Sequence, residues 1–111
     1  MTDKIVVFST CETKDEAAYL ARHLVEKRLA ACVNLIPGAR SFYHWKGKIE
    51  DAAECLLVIK TRRDRFDALR AELEKMHSYE VPEAIAIPVV DGAAGYLTWL
   101  DRELDSAESG T

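Results

Sequence analysis

The chain contains no apolar run of the roughly 18 residues needed to cross a bilayer, and no charged stretch followed by an apolar leader opens it. The expectation is a protein that neither spans a membrane nor is exported, and so resides in the cytoplasm. Excess charge is also missing. Lys and Arg number 15 against 19 Asp and Glu, a net charge of -4, which gives no long-range attraction to nucleic acid or anionic lipid. Cysteine is scarce and odd in number: Cys11, Cys32 and Cys55 are far apart, a pattern of reduced thiols and not of a disulfide framework. There is no repeat, linker or low-complexity segment. A Gly-rich phosphate loop, a nucleophile with base and orienter, and an acidic cluster for phosphoryl transfer are all lacking, so no enzymatic activity is expected.

What is present is an ordinary globular composition, 49% hydrophobic and 31% charged over 111 residues, enough for one core and too little for two. The expectation is a single domain, 1–111, with its core over about 5–104 and a polar tail, 105–111, that frays. Ile5-Val6-Val7-Phe8-Ser9-Thr10 is a β-branched strand, and Thr13-Lys14-Asp15-Glu16 has the Thr-x-x-Glu form of a capping box. The helix it starts repeats Ala17, Leu20, Ala21, Leu24 and Val25 as one apolar stripe. Cys32 to Trp45 is extended with an interruption at Pro37-Gly38, Gly47 turns the chain, and Glu54 to Thr61 returns as the other arm of a hairpin. A second helix is expected from about Asp64 to Met76, a strand over Ala84 to Val90 that Pro88 bends or places at an edge, and a last helix carrying Tyr96, Leu97, Trp99, Leu100 and Leu104.

The order β-α-β-β-α-β plus a terminal helix defines an α+β, ferredoxin-like split βαβ fold with an antiparallel sheet. Residues 55–59 and 84–90 are continuously apolar, as in strands buried on both faces, whereas two helices cover only one face. A second copy of the chain is the expected cover, hence a homo-oligomer.

Chemistry-bearing residues concentrate in Lys75-Met76-His77-Ser78-Tyr79-Glu80-Val81-Pro82-Glu83, where a helix hands over to a strand and donors can converge without breaking a core. The same residues also suit a plain helix end, with Lys75 and His77 at the negative pole and Pro82 as a stop. Met76, His77 and Glu80 are soft and borderline donors suited to copper or zinc, although neither Cys-x-x-Cys nor His-Glu-x-x-His spacing occurs. Cys11 ends the first strand beside a helix N-terminus, where a thiolate is favoured. Cys32 and Cys55 read as small buried hydrophobes, His23 as a solvated residue on the polar side of its helix, His44 as a strand-rim residue. Tyr43, Trp45, Tyr79, Tyr96 and Trp99 read as core or interface anchors, and Lys60 with Glu83 as a strand-end ion pair.

Five segments in order then resemble the CutA divalent-cation tolerance proteins: Leu29-Ala30-Ala31-Cys32-Val33-Asn34, Gly38-x-x-Ser41-x-Tyr43-x-Trp45-x-Gly47, Leu57-x-Ile59-Lys60-Thr61, His77-x-Tyr79-Glu80-Val81-Pro82-Glu83 and Tyr96-Leu97-x-Trp99-Leu100. The resemblance runs from about residue 5 to 101. It implies a ferredoxin-like subunit, a homotrimer whose sheets meet edge to edge, a cytoplasmic location, a link to tolerance of copper and other divalent ions, and no enzymatic activity. By this similarity Tyr43, Trp45, Lys60, Tyr79, Glu83 and Trp99 lie in or near an intersubunit cleft. Some members are assigned copper ligands at a cysteine ending the first strand and at two adjacent histidines. Here those positions hold Ser9, Met76 and His77, with Cys11 two residues beyond Ser9 on the same side of the strand. The expected site for copper or another divalent ion is therefore Cys11, His77 and Met76. A competing expectation is a signalling or scaffold trimer of the PII kind, holding a small anion or metabolite with Lys60 and the aromatics, though the Lys46-Gly47-Lys48 turn is far shorter than that kind's loop. An acylphosphatase-like hydrolase on the same fold lacks its phosphate loop and Arg-Asn pair.

Overall fold

A computed structural model describes residues 1–106. The elements are β1 (Lys4–Cys11), α1 (Lys14–Glu26), β2 (Cys32–Trp45), β3 (Lys48–Arg62), a 3-10 turn (Arg63–Arg65), α2 (Phe66–Met76), β4 (Ile85–Pro88) and α3 (Ala94–Asp105). The strands form one antiparallel sheet in the order β2-β3-β1-β4, the split βαβ arrangement expected.

Period-two alternation decides which face is packed. Ile5, Val7, Ser9 and Cys11 of β1 and Cys55, Leu57, Ile59 and Thr61 of β3 are buried, against Ala17, Leu20 and Leu24 of α1 and Leu69 and Leu73 of α2. Each of these leucines contributes about 1.5–3 kcal/mol by leaving water. Glycine matters at two places. Gly38, at φ +87°, sits in a bulge where the β2–β3 register shifts between Ile36 and Ala39, so β2 continues through the interruption instead of ending there. Lys46 (φ +51°) and Gly47 (φ +82°) make the two-residue turn that pairs Trp45 with Lys48, so the returning strand starts at Lys48, earlier than the apolar run indicated.

Within one protomer only the helix-facing side of these strands is buried, and the face expected to be covered by a second copy is left partly or wholly exposed. In β3 the alternate residues Leu56 and Val58 are only half-buried, and every residue of β4 is exposed because β4 is a four-residue edge strand whose partner on one side is β1. The second helix begins at Phe66, since Arg63–Arg65 forms a 3-10 turn first. Asp105 belongs to α3 and not to a frayed tail; the remainder of that expected tail, 107–111, lies outside the described residues. The guanidinium of Arg62, a tenth exposed, binds Asp64, Asp101 and Asp105, and Lys4 Nζ lies 2.9 Å from Asp101 Oδ2. These charges, with Arg28 and Arg65 donating to the carbonyls of Glu103 and Leu104, fasten α3 to the end of the sheet.

Candidate functional site

The end of β1, the first turn of α1 and the C-terminus of α2 meet at His77. Thr13 Oγ1 caps α1 by accepting the Glu16 N–H at 3.1 Å, but the Glu16 carboxylate does not complete the box. It crosses instead to accept the N–H and the Oγ–H of Ser78, at 2.8 and 2.9 Å. His77 Nδ1 accepts the Tyr79 N–H at 3.0 Å, which leaves Nε2 as the protonated nitrogen donating to the Thr10 carbonyl at 2.7 Å. Cys11 Sγ lies 3.6 Å from Nε2 and Glu16 Oε2 lies 3.7 Å from Nδ1. One donor atom each from Cys11, Glu16 and His77 falls within 4.8 Å of the others.

Thiol, imidazole and carboxylate together suit a borderline divalent ion, so the donor set fits a metal. Its resting state is protonated. Cys11 is fully buried, and burial, reinforced by the negative charge of Glu16, pushes its thiol up to about 12. This corrects the expectation of a favoured thiolate: the helix pole is outweighed by desolvation. Ser9, on the same strand face, is buried with its Oγ lacking a hydrogen-bond partner.

On the far side of the same segment, residues 78–83 and the β2–β3 hairpin enclose an open cleft of about 950 Å3. Tyr43, Trp45, Phe42 and Tyr79 supply aromatic walls, and Glu50, Glu54, Glu80 and Glu83 supply carboxylates. The Tyr79 hydroxyl donates to Glu54 Oε2 at 2.6 Å. Burial first, then that bond, raises the Tyr79 hydroxyl above its usual range, and burial with the nearby charge of Glu54 raises Glu83.

The structure thus brings together Cys11 with His77, and Tyr43 and Trp45 with Tyr79 and Glu83. Met76 packs on the core cluster that contains Cys11, and Glu16 is the carboxylate gathered with the thiol and imidazole. Lys60 and Trp99 do not line the part of the cleft that one protomer forms, and within the protomer no ion pair joins Lys60 to Glu83 among the described residues. Trp99 stacks on Tyr96 of its own helix, centroids 5.5 Å apart. His23 is not merely solvated: it meets Glu72 of α2 at 2.6 Å. Cys32 is half-buried, not buried, at the start of β2, while Cys55 is buried as expected and His44 is exposed. Sequence reasoning missed Glu16, which a capping box explains completely, and Glu54, whose only signal is a carboxylate opening an apolar strand.

The class is that of an α+β, ferredoxin-like subunit: a four-stranded antiparallel sheet backed by helices, with thiol, imidazole and carboxylate gathered at one end. The family model for the CutA1 divalent ion tolerance protein matches residues 5–103, and the chain belongs to that family. It is similar to the divalent-cation tolerance protein CutA of Pectobacterium atrosepticum, 42% identical over 104 residues covering 94% of each chain. It is also similar to the protein CutA of Mus musculus, 49% identical over 105 residues, 94% of this chain but 59% of that one. The chain spans little more than half the length of several relatives it matches. The crystal structure of CutA from Xylella fastidiosa superposes with a TM-score of 0.91 at 45% identity, covering 94% of this chain and all of that one.

Proposed function

We propose that this member of the divalent-cation tolerance family acts as a non-enzymatic, cytoplasmic homotrimer that binds copper or another borderline divalent ion at Cys11, Glu16 and His77. The convergence of those three donors within 4.8 Å carries the reading. Metal would replace the thiol proton of Cys11 and take lone pairs now used in hydrogen bonds to Ser78 and Tyr79 or, after deprotonation or a tautomer change, the nitrogen facing Thr10. Three free cysteines suit a reducing compartment, and among the described residues no helix is long and apolar enough to cross a membrane. Exposed Ile85, Ile87 and Val90 at the β4 edge, and Ile36, Phe42 and Ile49 on the hairpin, supply the apolar surface that trimerisation would bury. Four carboxylates in the cleft disfavour the small-anion alternative.

Titration of metal-free protein with Cu(II) and Zn(II) tests the site. Cys11→Ser and His77→Ala should each weaken binding about tenfold or more, and Glu16→Gln by a smaller factor. Affinity should rise by about one decade per pH unit below pH 12, because each bound ion displaces the Cys11 proton. Affinity unchanged in both Cys11→Ser and His77→Ala would place the metal elsewhere.

A further inference from the structure

His77 cannot ligate an ion and keep its present hydrogen bonds. Both ring nitrogens are engaged: Nδ1 accepts the Tyr79 N–H at 3.0 Å, and Nε2 faces the Thr10 carbonyl at 2.7 Å. At neutral pH a ligating histidine is a neutral imidazole with one ring proton. If Nδ1 becomes the ligand, its lone pair is withdrawn from Tyr79. If Nε2 becomes the ligand, the ring proton passes to Nδ1, which then confronts the Tyr79 N–H as a second donor. Either nitrogen therefore costs Tyr79 its backbone acceptor. Glu16 is under no such constraint, because each carboxylate oxygen keeps a second lone pair while accepting from Ser78. The obligate loss falls on Tyr79 alone.

Tyr79 is also placed to pass that loss on. Its ring lies against the His77 ring, centroids 4.7 Å apart, and its hydroxyl donates to Glu54 Oε2 at 2.6 Å. Glu54 is more than nine-tenths buried and pairs in register with Ala39, where β2 resumes after its bulge. Tyr79 itself is half-buried, so an N–H left there without an acceptor is costly and the turn gains by carrying it to water.

We propose that His77 and Tyr79 form a relay: ligation of a divalent ion by His77 frees the Tyr79 N–H, and the 77–79 turn then draws the Tyr79 hydroxyl off Glu54. The relay rests on the metal site proposed above and adds its regulation, since a buried binding event is displayed on residues 78–83 at the cleft wall. Linkage makes the coupling reciprocal. Whatever holds Tyr79 on Glu54 opposes ligation, so this hydrogen bond is a brake on metal affinity and no part of the donor set.

Amide hydrogen exchange followed residue by residue by NMR, on the full chain in its native oligomeric state, metal-free and saturated with redox-silent Zn(II), tests the relay. Binding ordinarily raises protection across a fold. Here the Tyr79 amide should lose protection by about tenfold or more on zinc loading while β1 and β3 keep theirs. Tyr79→Phe, which removes only the hydroxyl, should bind zinc more tightly than the unaltered chain by about threefold or more. Thermal melting of the metal-free proteins confirms that the variant is folded, and the exchange measurement on the unaltered chain decides the matter if it is not. Zinc affinity unchanged in both Cys11→Ser and His77→Ala would overturn the metal site and the relay together. Zinc held through Cys11 and His77 with the Tyr79 amide as protected as before, or with no gain of affinity in folded Tyr79→Phe, would overturn the relay and leave the metal site standing.

Discussion

Ser9 is a hydroxyl sealed into the helix-facing side of β1 with nothing to bond, and its cost is that of an unsatisfied buried donor, about 1–3 kcal/mol. Ser9→Ala should therefore stabilise the fold by about 1 kcal/mol in denaturant titration, with no loss of metal affinity if Cys11 is the thiol ligand. A destabilised Ser9→Ala would show that the hydroxyl has a partner in solution. The contrast with Cys11, two residues on, is one of environment. Both are small side chains on one buried face, but Cys11 ends the strand where Glu16 and His77 converge. Sequence spacing placed Cys11 and His77 at element ends and could not show that Glu16, three residues past the cap, leaves the cap to hold Ser78.

At the level of elements, α3 depends on charge more than the other helices do. Its N-cap Ala93 makes no side-chain capping bond, while Arg62 grips Asp101 and Asp105. Asp101 is held below the ordinary 3.8 by Lys4 and then Arg62, and Asp105 by Arg62. Carboxyls depressed in the folded state add stability above their unfolded value, and that contribution is lost as pH falls through the range below about 4. Hydrogen-exchange protection of α3, taken relative to the intrinsic rate at each pH, should fall over that interval before that of β1 and β3 does. Arg62→Ala should produce the same selective loosening at neutral pH; equal protection of α3 in the variant would show that Leu100 and Leu104 alone hold it. The connection from His77 to Glu83 is the opposite case. Its backbone is held at the N-terminal end, where Glu16 and the His77 ring accept the N–H groups of Ser78 and Tyr79, while Tyr79, Glu80, Val81 and Glu83 line the cleft.

For the whole molecule, the apolar surface left at β4 and along the hairpin is the main open quantity. Ile85 is 54% exposed and Ile49 70%, more than a monomer's scattered hydrophobics require. Sedimentation equilibrium at micromolar concentration should give a trimer, and Trp45→Ala, beside the hairpin turn, should shift it towards monomer, by an amount on the order of a few kcal/mol if the ring is buried in the assembly. A folded monomer of 12.5 kDa at that concentration would overturn the assembly.

The sequence by itself determined the element order, the helix-facing stripes and the antiparallel hairpin, because periods of two and of about 3.6 residues and the turn chemistry at Gly47 act locally along the chain. Family membership was also legible there, since five ordered motifs survive without any coordinates. Tertiary structure decided the rest. It joined Glu16 to His77, 61 positions apart, packed Met76 against the core, and turned Cys11 from a favoured thiolate into a protonated thiol. The physical reason is that hydrogen-bond partners and desolvation are set by which distant side chains share a volume, and residue spacing along one strand or helix carries no record of that.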